Sequence, residues 1–372
     1  MKILFYIGGL GKGGAERVIS NLSNYLIKEN EITIMTDFNR KSKYALNEKI
    51  NIVALDKDDT IQKLKIINNF KRLKKISRVI ESIKPDVIIS FLPLPSYRVL
   101  LLKRKIKTPI IVSVRNDPNA EYNNFIKKII MKLLYRRANG FVFQTKEAQK
   151  FFSKKIQKKS VVIPNPIKNE FIERKIYEGE RENIIVSVGR LEEQKNFELL
   201  IHAFYDISKD IEDYKLIIYG EGSLRHDLEK KINGLNMHNR IFLPGNVDNV
   251  AEKIEKAKLF VMTSDYEGMP NALMEAMALG IVCISTNCPC GGPRFLINDK
   301  ENGFLFELND KEHLKELMKE VLLNKEDNLF QISEKAKKRM QDFKEEKISK
   351  LWIDFIENVI NKKNTKEDKD IE

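Results

Sequence analysis

At 372 residues, 42% hydrophobic and 32% charged, the chain is too long for one compact core and too evenly mixed to be fibrous or disordered, so two soluble globular domains are expected. Its net charge of +13 is unevenly held: residues 1–164 carry 34 Lys and Arg against 13 Asp and Glu, a net of +21, and the remainder nets −8. Either the first half meets something anionic (a phosphorylated substrate, a membrane surface or nucleic acid), or its lysines only solvate helices.

The chain opens on a strand, Lys2–Ile7, with no signal-peptide layout ahead of it. A glycine cluster and a helical pattern over 15–28 follow, and Gly9, Gly11 and Gly14 match G-x-G-x-x-G. A strand, glycines and a helix aim backbone N–H groups at an anion. Dinucleotide binding also needs an acidic residue about twenty positions on, and Asp37 stands 28 after Gly9, a loose fit. A Walker loop fails, because Gly11 and Lys12 are followed by Gly13 rather than Ser or Thr.

Further strands are expected at 32–36, 51–55, 86–91, 109–114, 140–144 and 160–163, with helices between them, hence a parallel sheet. The most apolar stretch, 87–102, is broken by Pro93, Pro95 and Arg98, which argues against a membrane span. Two helical patterns are basic: 61–78 carries Lys63, Lys65, Lys71, Arg72, Lys74, Lys75 and Arg78, and FIKKIIMKLLYRR at 125–137 repeats the theme. Such helices either rest on an anionic bilayer or pack their apolar faces on their own sheet. Interleaved aromatics and a recognisable binding module are lacking, so nucleic acid is not an expected partner.

The alternation pauses at Pro164, Asn165 and Pro166, and a charged connector is expected over 165–183. A second series of strands follows at 184–188, 215–219, 240–243, 259–263 and 282–285. After the first of these come Gly189, Arg190 and Lys195, two cations at a strand's carboxyl end that could hold a diphosphate and stabilise it as it leaves. The turns Gly220-Glu221-Gly222 and Pro244-Gly245-Asn246-Val247 offer backbone for a base to rest on. After the strand at 259–263, Glu267 lies in the turn, Gly268 and Met269 lead into a helix mouth at Pro270, and Glu275 lies on the helix. The two carboxylates can bracket a nucleotide sugar. The alternative is a solvated helix start, and Leu273, Met274 and Met277 are read as core. Cys283, Cys288 and Cys290 cluster too tightly for a disulfide framework and lack the partners of a metal site. Asp117 before Pro118 is read as a turn residue, and His202 and His226 as helical surface rather than ligands.

Taken together, Gly13-Gly14-Ala15-Glu16-Arg17, Asn165-Pro166, Gly189-Arg190 with Lys195-Asn196, Gly220-Glu221-Gly222, Pro244-Gly245 and Glu267-Gly268-Met269-Pro270 with Glu275 resemble the family 4 retaining glycosyltransferases. The segment Cys288-Pro289-Cys290-Gly291-Gly292-Pro293-Arg294 is similar to the subset that builds bacterial surface polysaccharides, and the resemblance is most specific over 184–305. It implies an α/β GT-B fold: two facing Rossmann-like domains with parallel sheets and an interdomain cleft. The first would be the acceptor-side domain at 1–164 and the second a nucleotide-sugar domain at 184–340. A helix at 341–361 would return toward the first domain, and a disordered tail would occupy 362–372.

The resemblance makes Glu267, Arg190 and Lys195 the catalytic set. It makes Gly13, Gly14, Gly189, Asn246, Val247, Gly268, Met269, Pro270, Asn271, Ala272 and Glu275 the donor-binding set. Glu267 would touch the sugar, Glu275 the ribose and the backbone at Asn246 and Val247 the base. Arg17, Arg115 and Asn116 are acceptor-side candidates, Arg115 standing nearest to a histidine that family members often carry. The implied reaction moves a hexose or N-acetylhexosamine from a UDP-sugar, with retention, to a lipid-linked or oligosaccharide acceptor. No metal and no cofactor beyond the donor are expected, and the expected location is the cytoplasm, peripheral on the inner face of the membrane. The rival readings are a nucleotide-sugar epimerase on the same scaffold, a dehydrogenase and a non-catalytic membrane adaptor.

Overall fold

The computed structural model describes all residues except 12, 39–41, 43, 57–64, 324–325 and 370–372, and for 65–69, 326–327, 364 and 366–369 it describes the backbone alone. The chain forms two compact units, Met1–Pro166 with Glu345–Glu372, and Ile167–Lys344.

The first unit holds a sheet of β1 (Lys2–Ile7), β2 (Glu31–Phe38), β3 (Asn51–Asp56), β4 (Val87–Phe91), β5 (Ile110–Ser113), β6 (Gly140–Phe143) and β7 (Ser160–Val162), ordered β3-β2-β1-β4-β5-β6-β7. Every pairing is parallel. β1, β4, β5 and β6 are near-continuous apolar runs because helices cover both faces of such a sheet. Strand order reverses at β1, which pairs with both β2 and β4. The loop after β4 begins with Leu92 at φ +70°, left-handed backbone that a leucine adopts only under strain.

The second unit holds β8 (Glu182–Val188), β9 (Lys215–Tyr219), β10 (Ile241–Gly245), β11 (Ala257–Met262), β12 (Val282–Thr286) and β13 (Phe304–Phe306), ordered β10-β9-β8-β11-β12-β13, again all parallel. Its core packs Ile185, Leu216, Ile218, Leu259, Val261 and Ile284 against helical residues that include Leu200, Phe204, Leu314 and Met318. The order reverses between β8 and β11, the position where open α/β sheets take ligands. β13 was not expected from sequence, since three residues are too few to show an alternation.

The last helix, Glu345–Lys369, belongs to the first unit. Ile348, Trp352, Ile356 and Val359 recur on one face and are buried. Trp352 is fully buried and stacks on Phe91 with centroids 6.0 Å apart. A side chain at Gly140 would lie 2.9 Å from Val359 and 3.0 Å from Phe355, so glycine there lets the helix lie close to β6. The helix continues through residues expected to be a disordered tail from 362, a stretch of Asn, Thr, Lys, Glu and Asp with neither Gly nor Pro to stop it.

Candidate active site

Because β8 and β11 pair side by side, the loops leaving their carboxyl ends are neighbours. Lys195, in the loop after β8, ion-pairs through its Nζ with Oε1 of Glu267 in the loop after β11. The two side chains retain 17% and 11% exposure, enough shielding for the pair to be held firmly. A lattice of hydrogen bonds stitches the loops together. The Thr263 hydroxyl donates to the carbonyls of Lys195 (3.0 Å) and Asn196 (2.9 Å), and Asp265 N–H to Gln194 O (2.9 Å). The Gln194 amide donates to Tyr266 O at 2.7 Å, and the Asn196 amide to the Asp265 carboxylate at 2.8 Å. Asn196 is left-handed (φ 46°) and its side chain caps the helix Phe197–Ile207. None of these supporting residues was singled out from sequence except Asn196, which stood in the motif.

The glycines of the second unit mark backbone crossings. Gly220 has φ +146°, and a Cβ there would lie 1.8 Å from Gly189 O. One at Gly222 would lie 2.3 Å from Leu191 O, and one at Gly292 would lie 2.1 Å from Gly268 O. The loops after β8 and β9 thus touch main chain to main chain, joined by Gly189 N–H to Tyr219 O at 2.9 Å. The segment 288–294 is pressed on the Glu267 turn, with the Cys288 thiol donating to Ser264 O at 3.0 Å. Burial, reinforced by the Glu267 charge, pushes that thiol well above its ordinary pKa.

Pro270 caps the helix Asn271–Ala278 from outside rather than forming its first turn, and Gly268, Met269 and Pro270 are buried. Asn271 and Ala272 are half-buried, Glu275 is buried, and Leu273, Met274 and Met277 are core. Arg190 is exposed. Asn246 and Val247 follow β10, the edge strand, and are exposed and half-buried. The described residues contain no group of three or more His, Cys, Asp and Glu able to hold a metal.

In the first unit, Gly13 caps the helix Gly14–Leu26 with Glu16 Oε2 2.3 Å from where its Cβ would stand, and a Cβ at Gly11 would meet nothing within 4 Å. Asp37 is buried, accepting from the Tyr6 hydroxyl at 2.7 Å and from the Arg98 guanidinium at 2.5 Å. A carboxylate so occupied is not presented to a ribose, which removes the acidic half of the dinucleotide fingerprint. Arg17 lies over the Tyr44 ring at 5.7 Å. Arg115 donates to Asn165 and lies over Phe91, and Asn116 hydrogen-bonds Glu121. Asp117 caps the short helix Pro118–Glu121.

The two basic helices differ. In Lys65–Ile83, Ile76 and Ile80 are buried, and Arg72 and Lys75 turn to Asp56 at the end of β3 at 2.6 and 2.5 Å. Lys63 lies outside the described residues, as does the side chain of Lys65. The helix Phe125–Tyr135 instead buries Met131, Leu134 and Tyr135 and leaves Phe125, Ile126, Ile129, Ile130 and Leu133 exposed. No described helix is long and apolar enough to cross a membrane.

Residues 168–339 match the family model for glycosyl transferases group 1, and residues 12–171 the model for glycosyltransferase family 4. The chain is 30% identical over 371 residues to a Campylobacter jejuni enzyme, covering 97% of this chain and 99% of that one. That relative is named as the α-1,4-N-acetyl-D-galactosaminyltransferase of GalNAc-α-(1→4)-GalNAc-α-(1→3)-diNAcBac-PP-undecaprenol. A second C. jejuni protein, named N-acetylgalactosamine-N,N'-diacetylbacillosaminyl-diphospho-undecaprenol 4-α-N-acetylgalactosaminyltransferase, is 29% identical over 95% of this chain and 99% of its own. Among solved structures, S. aureus TarM in complex with UDP superposes with a TM-score of 0.79 at 16% identity, covering 96% of this chain and all of that one. Two doubly wound parallel sheets, matched over nearly their whole length by these proteins, make the chain a family 4 glycosyltransferase of the GT-B fold.

Proposed function

We propose that the protein transfers a hexose or N-acetylhexosamine from a UDP-sugar, with retention of anomeric configuration, to a lipid-linked sugar acceptor in surface polysaccharide synthesis. The observation that carries the reading is the Lys195–Glu267 pair at the reversal of strand order in the second unit, the place where a nucleotide's phosphates are bound in such sheets. In this reading Lys195 and Arg190 offset charge on the departing diphosphate, and Glu267 orients the sugar. Glu275 takes the ribose, and the backbone at Asn246 and Val247 takes the base. Gly189 and residues 268–272 complete the second unit's share of the donor site.

The sugar's C1–O bond to the diphosphate breaks as the acceptor oxygen attacks the same face. The acceptor proton passes to the leaving phosphate oxygen, and UDP departs. Glu267 already shares its charge with Lys195, which suits orientation better than covalent attack. The relatives named for diphospho-undecaprenol acceptors and α linkages support the lipid-linked acceptor, and α product from an α-linked donor is retention. The solved relative holding UDP supports the choice of base. The exposed apolar stripe of Phe125–Tyr135, with Lys127, Lys128, Lys132, Arg136 and Arg137 beside it, would rest on an anionic bilayer, where such acceptors lie.

A panel of UDP-sugars with a diphosphate-linked acceptor tests the reading. Transfer is expected, lost in Glu267→Gln, with the product's anomeric coupling in NMR giving retention. Conversion of UDP-sugar without acceptor would identify an epimerase instead.

A further inference from the structure

Among the described residues, Arg115 makes no ion pair. Its Nη2 donates to the Asn165 side chain and its guanidinium carbon sits 5.5 Å from the Phe91 ring centroid, but Nε and Nη1 are buried with no hydrogen-bond partner among the described residues. Burial pulls its pKa down to about 9, with no carboxylate working against the shift. Arg98, in the same unit, meets its burial with Asp37 at 2.5 Å. The Asn165 oxygen is also taken by the Gln144 amide at 2.7 Å, while Gln144 Oε1 and Ser113 Oγ are buried with no hydrogen-bond partner among the described residues. Phe91 ends β4, and Ser113 ends β5 two residues before Arg115. Gln144 follows β6 and Asn165 lies just beyond β7, so the cluster occupies the carboxyl edge of four consecutive strands, where α/β sheets take ligands.

An uncompensated buried cation with spare N–H donors is costly in the free protein, and an oxyanion would satisfy it. We propose that Arg115, held by Asn165 and backed by Phe91, is the receptor for a diphosphate. This rests on the reading of the chain as a transferase that handles nucleotide sugars and lipid diphosphates. The shared chemistry comes from two sources, the donor's diphosphate and the acceptor's, and guanidinium suits either.

The experiment is calorimetric titration of the intact protein with inorganic diphosphate in an Arg190→Ala/Lys195→Ala background, which removes the two second-unit cations assigned to the diphosphate. Arg115→Gln is expected to weaken binding about tenfold or more, the worth of a charged hydrogen bond, and Arg115→Lys to weaken it less. Asn165→Asp supplies the missing carboxylate internally. It is expected to keep or raise the melting temperature while also weakening diphosphate about tenfold. Repeating the titration with UDP and with a short polyprenyl diphosphate assigns the source, whichever ligand responds to Arg115. If Arg115→Gln and Asn165→Asp both leave diphosphate affinity within twofold, Arg115 is structural and the proposal fails. The readout needs no turnover, so a chain that binds diphosphate at Arg115 yet transfers no sugar would overturn the functional reading alone.

Discussion

Lys195 and Glu267 are 72 positions apart, and each neutralises the other in a shielded site. Their substitutions should therefore differ. Glu267→Gln keeps a hydrogen-bonding side chain in place and is expected to cut transfer about a hundredfold or more, with little change in melting. Lys195→Ala should abolish transfer comparably and also strand the carboxylate, lowering stability by about 1–3 kcal/mol in a denaturant titration. Adding Glu267→Gln to Lys195→Ala should restore most of that stability and none of the activity. Cys288, whose thiol burial and the Glu267 charge push upward, is expected to resist iodoacetamide at pH 8 until the chain unfolds, as read by intact mass. The strand-to-helix turns that carry Lys195 and Glu267, and the helix that carries Glu275, were legible in the sequence because such turns announce themselves through Gly and Pro. The pairing of Lys195 with Glu267 was not, since it depends on which strands lie adjacent. The Tyr6–Asp37–Arg98 cluster was hidden for the same reason, joining residues 31 and 61 positions apart.

Among the elements, the two basic helices read alike as sequence and part ways in the structure. Apolar residues at helical spacing say that a face exists, not what covers it. Lys65–Ile83 buries Ile76 and Ile80, leaves Phe70 exposed, and pairs two cations with Asp56. Burial works to raise the Asp56 carboxyl, but Lys75 and Arg72 outweigh it and hold it below the ordinary value. The pairing thus stabilises the fold at neutral pH and is lost as pH falls through and below the usual carboxylate range. Asp56→Asn should lower the melting temperature at pH 7, with the gap from wild type closing in acid. The helix Phe125–Tyr135 exposes Phe125 by 77% and Ile126 by 69%. Replacing Ile126 and Leu133 by Glu is expected to abolish flotation with anionic vesicles and leave the melting curve intact. Lys127→Ala should weaken vesicle binding about fivefold at low salt, roughly 1 kcal/mol for one charge at the surface.

At the scale of the whole molecule, the alternation of strands and helices made the parallel α/β class legible, and the chain divides into its two compact units after Pro166. The structure begins the second unit at Ile167, within the expected connector, because Ile167 N–H already bonds Phe343 O at 2.9 Å. One unit is continuous and the other draws on both ends of the chain. Trp352, near the far end, is the single tryptophan of the sequence and lies against Phe91 in the first unit. Its intrinsic fluorescence is therefore a private signal of that unit, whereas circular dichroism sums over both. Where the units melt separately, the two traces will not superimpose. Since Phe91 also underlies Arg115, an anion arriving there should perturb the indole emission, giving an optical titration that needs no label.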